Sequence, residues 1–300
     1  GKGVNRMDII IDTDIGDDID DAFALALCLN TLSIHVLAIS TVFKNTQKRC
    51  QIAELILKDY DKGEIPLFAG QEQPVKNKVS FDVLPGQFSI LEEWVDQSKK
   101  YEDACTNLIP ILKENPDAKI MAIGPLTNIA KLCQIAPELM KNRELIMMGG
   151  MFCETFPEWN IVCDPEAAEI VLNSDMKITM IGLDVTLKCR LTDEELKRFI
   201  LKDKKRKGCL SILTEKWMAE SKHNPILHDP LVAGYLMNPS LLAFEEGGVV
   251  VETEGIYTRG MTVNRKDVFG HKPLNRVNCQ IAKTVKRDEF IKLFFNNIFN

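Results

Sequence analysis

Short apolar runs alternate with longer stretches whose apolar residues recur at helical spacing. The apolar runs are continuous, which is typical of strands covered on both faces. The pattern predicts an α/β fold, a Rossmann-like open and mostly parallel sheet flanked by helices. Strands are predicted over residues 8–13, 35–42, 66–69, 119–123, 145–148 and 177–181. Helices are predicted over residues 20–30, 46–60, 90–113, 126–135, 165–173 and 193–201.

The second half of the chain has a different pattern. Helical periodicity dominates residues 192–237, extended segments follow at 249–253 and 280–285, and a closing helix is predicted at 288–298. The chain has no internal repeat, low-complexity tract or linker-like composition. We therefore expect one domain over residues 1–300, with a helix-rich elaboration in its second half. Residues 1–6 precede the first strand, and we expect them to be disordered or foreign to the native chain.

Six aspartates lie between residues 12 and 21, at the end of the first predicted strand and directly after it. A turn at Gly16 and an apolar helix follow. Ligands of open α/β sheets bind at the carboxyl ends of strands. Clustered carboxylates repel one another and raise one another's pKa, and a divalent cation relieves that repulsion. Because oxygen ligands favour calcium or magnesium over zinc, the turn predicts a site for one of these two ions.

Three further polar clusters fall at predicted strand ends or helix starts, in residues 123–130, 148–168 and 227–230. Each has an ordinary structural interpretation. Asp229-Pro230 and Asp164-Pro165 are typical helix starts, and a single histidine such as His228 is more often structural than catalytic. The occurrence of these clusters together with the acidic turn favours a functional site, because the strand ends of a parallel sheet meet in one crevice.

The acidic turn has two other interpretations. An EF-hand loop requires Gly at its sixth position and Glu at its twelfth, and counting from Asp12 those positions hold Asp17 and Phe23. That interpretation is rejected. A phosphatase with Asp12 or Asp14 as nucleophile remains a weaker alternative, since Gly16 stands where such enzymes carry Thr or Ser.

Composition narrows the class of protein. The 300 residues are 45% hydrophobic, with a formal net charge of −6. Net negative charge argues against nucleic acid or an anionic membrane as partner. The nine cysteines show no CxxC or Cys/His spacing, and no segment approaches a membrane span. We expect a cytoplasmic protein with free thiols.

Taken together, these motifs resemble the inosine–uridine-preferring nucleoside hydrolase family. The resemblance runs from about residue 8 to the last helix. The matching motifs are Asp12-x-Asp14-x-Gly16 with Asp20-Asp21-Ala22, Gly124-Pro125-Leu126-Thr127-Asn128, Met148-Gly149-Gly150, Glu158-Trp159-Asn160, Asp164-Pro165-Glu166-Ala167, Gly182-Leu183-Asp184-Val185-Thr186, His228-Asp229-Pro230 and Gly260-Met261-Thr262-Val263.

The resemblance implies hydrolysis of the N-glycosidic bond of ribonucleosides, giving ribose and free base. It implies a Ca²⁺ ion bound by the carboxylates of Asp14, Asp21 and Asp229 and by the backbone carbonyl of Ile123. Asp20 would be the general base that takes a proton from the calcium-bound water. His228 would be the acid that protonates the leaving base, as the ribosyl oxocarbenium ion forms.

By the same resemblance, the substrate is a small-molecule ribonucleoside in purine or pyrimidine salvage. Its contacts would be with Asn45, Met148, Glu158, Trp159 and Asn160. We also expect a homodimer or homotetramer. A non-catalytic relative that uses the metal to hold a ribose ligand is the main alternative, and the pair Asp20 and His228 favours the enzyme.

The chain departs from the family pattern in three places. The acidic turn is two residues longer, so the ligands remain open among Asp14, Asp17, Asp18 and Asp21. Residues 80–89 lack the usual His-Gly-x-x-Gly element, and the segment between Gly150 and Glu158 is short. The nucleobase, and any substituent at the ribose 5′ position, therefore stay open.

Overall fold

The computed structural model describes residues 5–94, 96, 98–265 and 275–299. Of the predicted N-terminal segment 1–6, residues 1–4 lie outside that range. The strands are β1 Met7–Thr13, β2 Ile34–Thr41, β3 Leu67–Ala69, β4 Lys119–Ala122, β5 Glu144–Met148, β6 Lys177–Ile181, β7 Leu242–Gly247, β8 Val249–Val251, β9 Thr262–Asn264 and β10 Cys279–Val285. The helices are α1 Asp20–Leu29, α2 Thr46–Asp59, α3 Leu91–Trp94, α4 Ala104–Glu114, α5 Thr127–Ile135, α6 Pro137–Met140, α7 Trp159–Val162, α8 Pro165–Leu172, α9 Leu183–Thr186, α10 Asp193–Lys205, α11 Leu210–Met218, α12 His228–Met237 and α13 Arg287–Ile298.

Eight strands form one sheet in the order β3-β2-β1-β4-β5-β6-β10-β7, and β8 pairs with β9 beside it. Every neighbouring pair in the large sheet is parallel except β10 with β7. The chain builds outward from β1 to β3, then returns to place β4 on the other side of β1. This reversal is the switch point at which open α/β sheets bind ligands.

The side chains of β1 show how both faces of the sheet are buried. Ile9 and Ile11 pack into one core and Ile10 into the other, because successive side chains of a strand point to opposite faces. The first core includes apolar residues of α1, α2, α10, α12 and α13, and the second includes those of α4, α5 and α8. Helices therefore cover the sheet on both sides, which confirms the predicted fold class.

The six strands predicted before residue 182 all form, each within one residue of its predicted ends. The predicted helix over residues 90–113 is wrong: α3 ends at Trp94 and α4 begins at Ala104. Between them the backbone of Tyr101 exchanges hydrogen bonds with the Gln47 side chain. Asp103 caps α4 by accepting from the Thr106 N–H. These contacts fasten an extended segment beside β3, whereas helical periodicity continued through it. Residues 95 and 97 of that prediction lie outside the described range.

Strands β7 and β9 were not predicted. Both lie in the second half, where the alternation of strands and helices had stopped. All nine cysteines are unpaired, as expected. In the part of the chain that the structure describes, the helices are too short or too polar to cross a bilayer.

Candidate active site

The acidic turn after β1 lies at the switch point and is buried. Gly16 has φ of +116°, and a Cβ there would lie 2.6 Å from the Phe88 ring, so both conformation and space require glycine. The turn then leads into α1, whose first residues are Asp20 and Asp21. The carboxylates of Asp20 and Asp21 thus lie at the start of α1, where the helix dipole favours negative charge.

A buried arginine holds the turn from beneath. Arg49 is 1% exposed, and its Nη1 donates to the carbonyls of Asp14 (2.7 Å) and Ile15 (3.1 Å). Its Nη2 lies 3.3 Å from the Asp17 carboxylate. The neighbouring Asp18 accepts from the Ile19 N–H at 2.7 Å. The guanidinium therefore fixes the backbone of the turn and balances part of its charge.

Three carboxylates meet above this turn. One oxygen from each of Asp20, Asp21 and Asp229 lies within 4.8 Å of the others. Asp20 Oδ2 accepts the backbone N–H of Asp229 at 2.8 Å, and Asp21 Oδ2 accepts the Thr13 hydroxyl at 2.6 Å. Asp21 is also within hydrogen-bonding reach of Asp14. These contacts orient the carboxylates toward a common point.

The electrostatics of the cluster reflect burial and mutual repulsion. Burial, followed by the charge of Asp20, raises the pKa of Asp21 to about 7. Burial and neighbouring carboxylates also raise the pKa values of Asp14, Asp20 and Asp229 well above the ordinary range. An oxygen-only, acidic and preoriented cluster fits a hard divalent cation, which would supply the missing positive charge.

Residues following β4 and β5 form the next wall. A Cβ at position 124 would lie 3.0 Å from the Asp14 nitrogen, so Gly124 permits close approach of the two loops. Asn160 Nδ2 donates to the Met148 carbonyl at 3.0 Å and lies 3.4 Å from that of Ile123. This amide holds together the chain segments that leave the two strands.

Glu158 is buried beside Asn160. Its carboxylate accepts the backbone N–H groups of Gly150 (3.0 Å), Asn160 (2.7 Å) and Ile161 (3.3 Å). Burial outweighs these donors and raises the pKa of Glu158 to about 7. Trp159, the residue between them, is 56% exposed and forms part of the cavity wall.

His228, the first residue of α12, completes the opposite wall. Its Nδ1 lies 2.7 Å from the Thr186 hydroxyl. Burial lowers the pKa of His228 to about 4, so the ring is neutral at pH 7. A neutral imidazole carries one N–H donor and one acceptor nitrogen.

The cavity has a volume of about 170 Å³ and contains all but one of the predicted site residues. Its lining comprises Asp14, Asp17, Asp18, Asp20, Asp21, Ile123, Met148, Glu158, Trp159, Asn160, Leu183, His228 and Asp229. Asn45 is the exception. It precedes α2, and its carbonyl accepts the Arg49 N–H at 3.0 Å.

Sequence reasoning missed two residues that shape the site. Arg49 falls in a helical stretch with other polar residues, and nothing in that pattern separates it from a surface cation. Thr186 belongs to a motif that the resemblance matched, but no role was predicted for it. Its contact with His228 joins residues 42 positions apart, which periodicity does not detect.

Comparisons with known proteins identify the family of this chain. A family model described as inosine-uridine preferring nucleoside hydrolase matches residues 9–292. A pyrimidine-specific ribonucleoside hydrolase, RihA of Enterobacter sp. (strain 638), is 30% identical, with 95% of each chain covered. A probable uridine nucleosidase 1 of Oryza sativa subsp. japonica is 30% identical over 85% of this chain and 84% of the relative.

Solved structures give the same result. A plant nucleoside hydrolase, PpNRh1, has a TM-score of 0.86 at 25% identity, covering 98% of this chain and 99% of its own. A purine-preferring ribonucleoside hydrolase from Gardnerella vaginalis has a TM-score of 0.81 at 27% identity, covering 97% and 98%. Since the family model spans nearly the whole sequence, this chain belongs to the inosine–uridine-preferring nucleoside hydrolase family of N-ribohydrolases, as its motifs predicted.

Proposed function

We propose that this chain hydrolyses the N-glycosidic bond of ribonucleosides to ribose and free base, with Ca²⁺ as its cofactor. One observation carries the proposal. A single cavity presents the carboxylates of Asp20, Asp21 and Asp229, with one oxygen of each within 4.8 Å of the others, and it also presents His228. Cation ligands, a base and a donor for the leaving group are thus available together.

We assign the cation to Asp14, Asp21, Asp229 and the Ile123 carbonyl. The two other candidates have partners of their own, since Asp17 pairs with Arg49 and Asp18 accepts from the Ile19 N–H. This division supports the assignment despite the longer turn. Calcium bound there would offset the carboxylate charge and lower the pKa of a water molecule.

Asp20 is assigned as the general base. The Asp229 N–H occupies its Oδ2 at 2.8 Å, which holds the carboxylate in one orientation. The carboxylate held in this way would accept a proton from the attacking water. A positioned base of this kind typically contributes about 10²- to 10⁴-fold in rate.

Glu158, Asn160 and Met148 are assigned to the ribose. Two of them are tied to the backbone around the cavity, which reduces the rotational freedom lost on binding. Trp159 supplies an apolar wall that keeps bulk water from the cation-like sugar. Asn45 acts indirectly, because its carbonyl supports the helix that carries Arg49.

His228 is assigned to the leaving base. Its N–H would donate to the base, and that hydrogen bond strengthens as negative charge develops on the departing group. Such activation helps poor leaving groups generally, so we expect both inosine and pyrimidine nucleosides to be cleaved. The relatives carry pyrimidine-specific and purine-preferring names, and neither preference is transferred to this chain.

With Asp12 as nucleophile the phosphatase alternative is unfavourable, whereas Asp14 lines the cavity and its alternative is decided by measuring phosphate release. Asp12 is fully buried, and its Oδ1 accepts from Ser40 (2.6 Å) and Asn128 (2.8 Å). It does not line the cavity, so it is poorly placed to attack a phosphate. The non-catalytic alternative is addressed by measuring turnover directly.

The decisive experiment compares release of reducing ribose with release of phosphate, using nucleosides and nucleotides with added calcium or with a chelator. We expect ribose release from nucleosides that chelation abolishes and calcium restores. Asp229→Asn should lose calcium binding and turnover together, whereas Asp175→Asn, exposed before β6, should behave as the native protein. Ligand binding without ribose release would contradict the proposal, and phosphate release would favour the phosphatase.

Quaternary structure and cellular location stay predictions. A homodimer or homotetramer would be recognised by light scattering of the purified protein. Cytoplasmic location and a role in salvage would be tested by fractionation of the source cells and by growth on nucleosides.

A further inference from the structure

The hydroxyl of Thr186 contacts one of the two ring nitrogens of His228, a residue that lines the cavity. Thr186 is the last residue of α9 and is fully buried, and its Oγ1 lies 2.7 Å from His228 Nδ1. The other ring nitrogen, Nε2, has no hydrogen-bond partner among the described residues. Nδ1 is therefore held by Thr186, whereas Nε2 is available to a ligand.

Two chain segments are paired so that this contact forms. The Leu191 N–H donates to Pro225 O and the Leu227 N–H to Cys189 O, both at 2.9 Å. These bonds join the chain just after Thr186 to the chain just before His228. The contact is thus built into the backbone pairing rather than made by a freely rotating surface side chain.

The direction of the hydrogen bond follows from the donors available. Thr186 Oγ1 makes no other hydrogen bond within the described ranges. If His228 Nδ1–H were the donor, the hydroxyl proton would be left buried without an acceptor, at a cost of about 1–3 kcal/mol. If the hydroxyl donates to Nδ1, both groups are satisfied and the imidazole proton lies on Nε2.

We propose that Thr186 is a positioning residue that fixes His228 in the Nε2–H tautomer and aims that N–H at the departing base. The inference rests on the proposed N-ribohydrolase function. The opposite tautomer would present a lone pair to the acceptor atoms of a base, and would repel the charge that develops there.

Removing the hydroxyl should affect only substrates whose leaving group needs help. Thr186→Val preserves the shape of the side chain and removes the donor. We expect kcat for inosine and uridine to fall by about tenfold or more, within the range of acid–base contributions. The kcat for p-nitrophenyl riboside should change by less than about twofold, because that leaving group departs without a proton.

Two variants control this measurement. Thr186→Ser keeps the hydroxyl and should restore most of the activity on inosine. Thr214→Val removes an equally buried hydroxyl in α11, one that donates to Leu210 O, and should leave both substrates unaffected. Equal losses on nucleosides and on the nitrophenyl riboside, or no loss on either, would overturn the positioning role.

The tautomer can also be measured without turnover. The sequence has four histidines, so ¹⁵N-histidine spectra of the calcium-loaded protein can be assigned with His228→Asn. We expect the proton of His228 on Nε2 in the native protein and a mixture of tautomers in Thr186→Val. A proton on Nδ1 in the native protein would contradict the inference even if nucleosides are hydrolysed. Failure of the native protein to hydrolyse any riboside would instead contradict the proposed function.

Discussion

The acidic turn, residues 12–21, and the segment of residues 80–89 touch each other but are held in different ways. Arg49 and Gln87 donate to backbone carbonyls of the turn, and its aspartates are mostly buried. The segment has Val83 87% exposed and Leu84 39% exposed. Its hydrogen bonds to α11 and to the turn after that helix are exposed: the Gly86 N–H donates to Glu220, and Lys216 donates to the Ser89 hydroxyl.

This difference suits two separate tasks, which are chemistry at the turn and choice of nucleobase at the segment. The turn needs fixed geometry, because a cation and a general base tolerate little displacement. Gln87 and Phe88 of the segment are buried against the turn. Its exposed positions, such as Val83, can change at small cost in stability. Changes in the turn should therefore affect chemistry and folding, and changes in the segment should affect the choice of base.

The largest effect is expected for Asp20→Asn. If Asp20 is the base, its loss should lower kcat by about 10²- to 10⁴-fold, because in the proposed mechanism this carboxylate takes a proton from the attacking water. Calcium binding, measured by calorimetry, should persist. A near-normal kcat would move the base to Asp17 or Asp18.

Arg49→Met should lower the stability of the folded protein, because the acidic turn loses the side chain that holds it. Removing a buried charge partner costs about 3–5 kcal/mol, and here two carbonyls also lose their donor. Urea unfolding without calcium would measure the loss, which should be smaller with calcium present because the ion offsets the same carboxylates. Arg190→Met, at an exposed position, is the matched control. If Arg49→Met lowered the free energy of unfolding by less than about 1 kcal/mol, the turn would tolerate substitution as well as an exposed position does.

The ionisation of Glu158 should make the stability of the folded protein depend on pH. Burial raises its pKa from 4.5 to about 7, so the folded protein holds this proton more tightly than the unfolded chain. The resulting stability is complete below pH 4.5 and is lost as pH rises to about 7, by up to about 3 kcal/mol. Glu158→Gln should remove that loss, so its stability relative to the native protein should increase between pH 4.5 and pH 8.

Glu166→Gln provides a control of opposite sign for that measurement. A hydrogen bond from Arg259 lowers the pKa of Glu166, so its stabilising contribution is present at high pH and declines as pH falls. The relative stability of this variant should therefore decrease as pH rises. The same pH trend in both variants would rule out Glu158 as the source.

The smallest effect is expected for Val83→Ser in the exposed segment. Its stability should stay within about 0.5 kcal/mol of the native value, since an exposed side chain is replaced. The ratio of kcat/KM for inosine to that for uridine should change. Expressed as a free energy, that change should exceed the change in the free energy of unfolding. An unchanged ratio, together with a large loss of stability, would show that the segment is structural.

The sequence was sufficient for the features that depend on local pattern. Strand β6 lies at its predicted residues because the short stretch between two turns carries three buried apolar residues, Ile178, Met180 and Ile181. The acidic turn was recognisable because capping of one helix does not require six aspartates. Comparison with known proteins then confirmed the family and the fold.

Features that depend on distant contacts were not predictable. The break between α3 and α4 arises from Gln47, more than 50 residues earlier in the chain. Arg49 becomes a structural cation only after α2 packs beneath the turn. Thr186 acquires a role only when two separate loops pair, so its polarity alone carried no signal.

The hydrogen bond from the Asp229 N–H to Asp20 has a consequence for synthesis of the protein. It joins residues 209 positions apart. A ribosome that has produced β1 to β6 has released the acidic turn and Ile123, but not the carboxylate on α12. Long-range contacts of this kind form only after both partners have emerged. Tight binding of the proposed calcium ion by the nascent chain would therefore mark the moment at which its C-terminal helices dock.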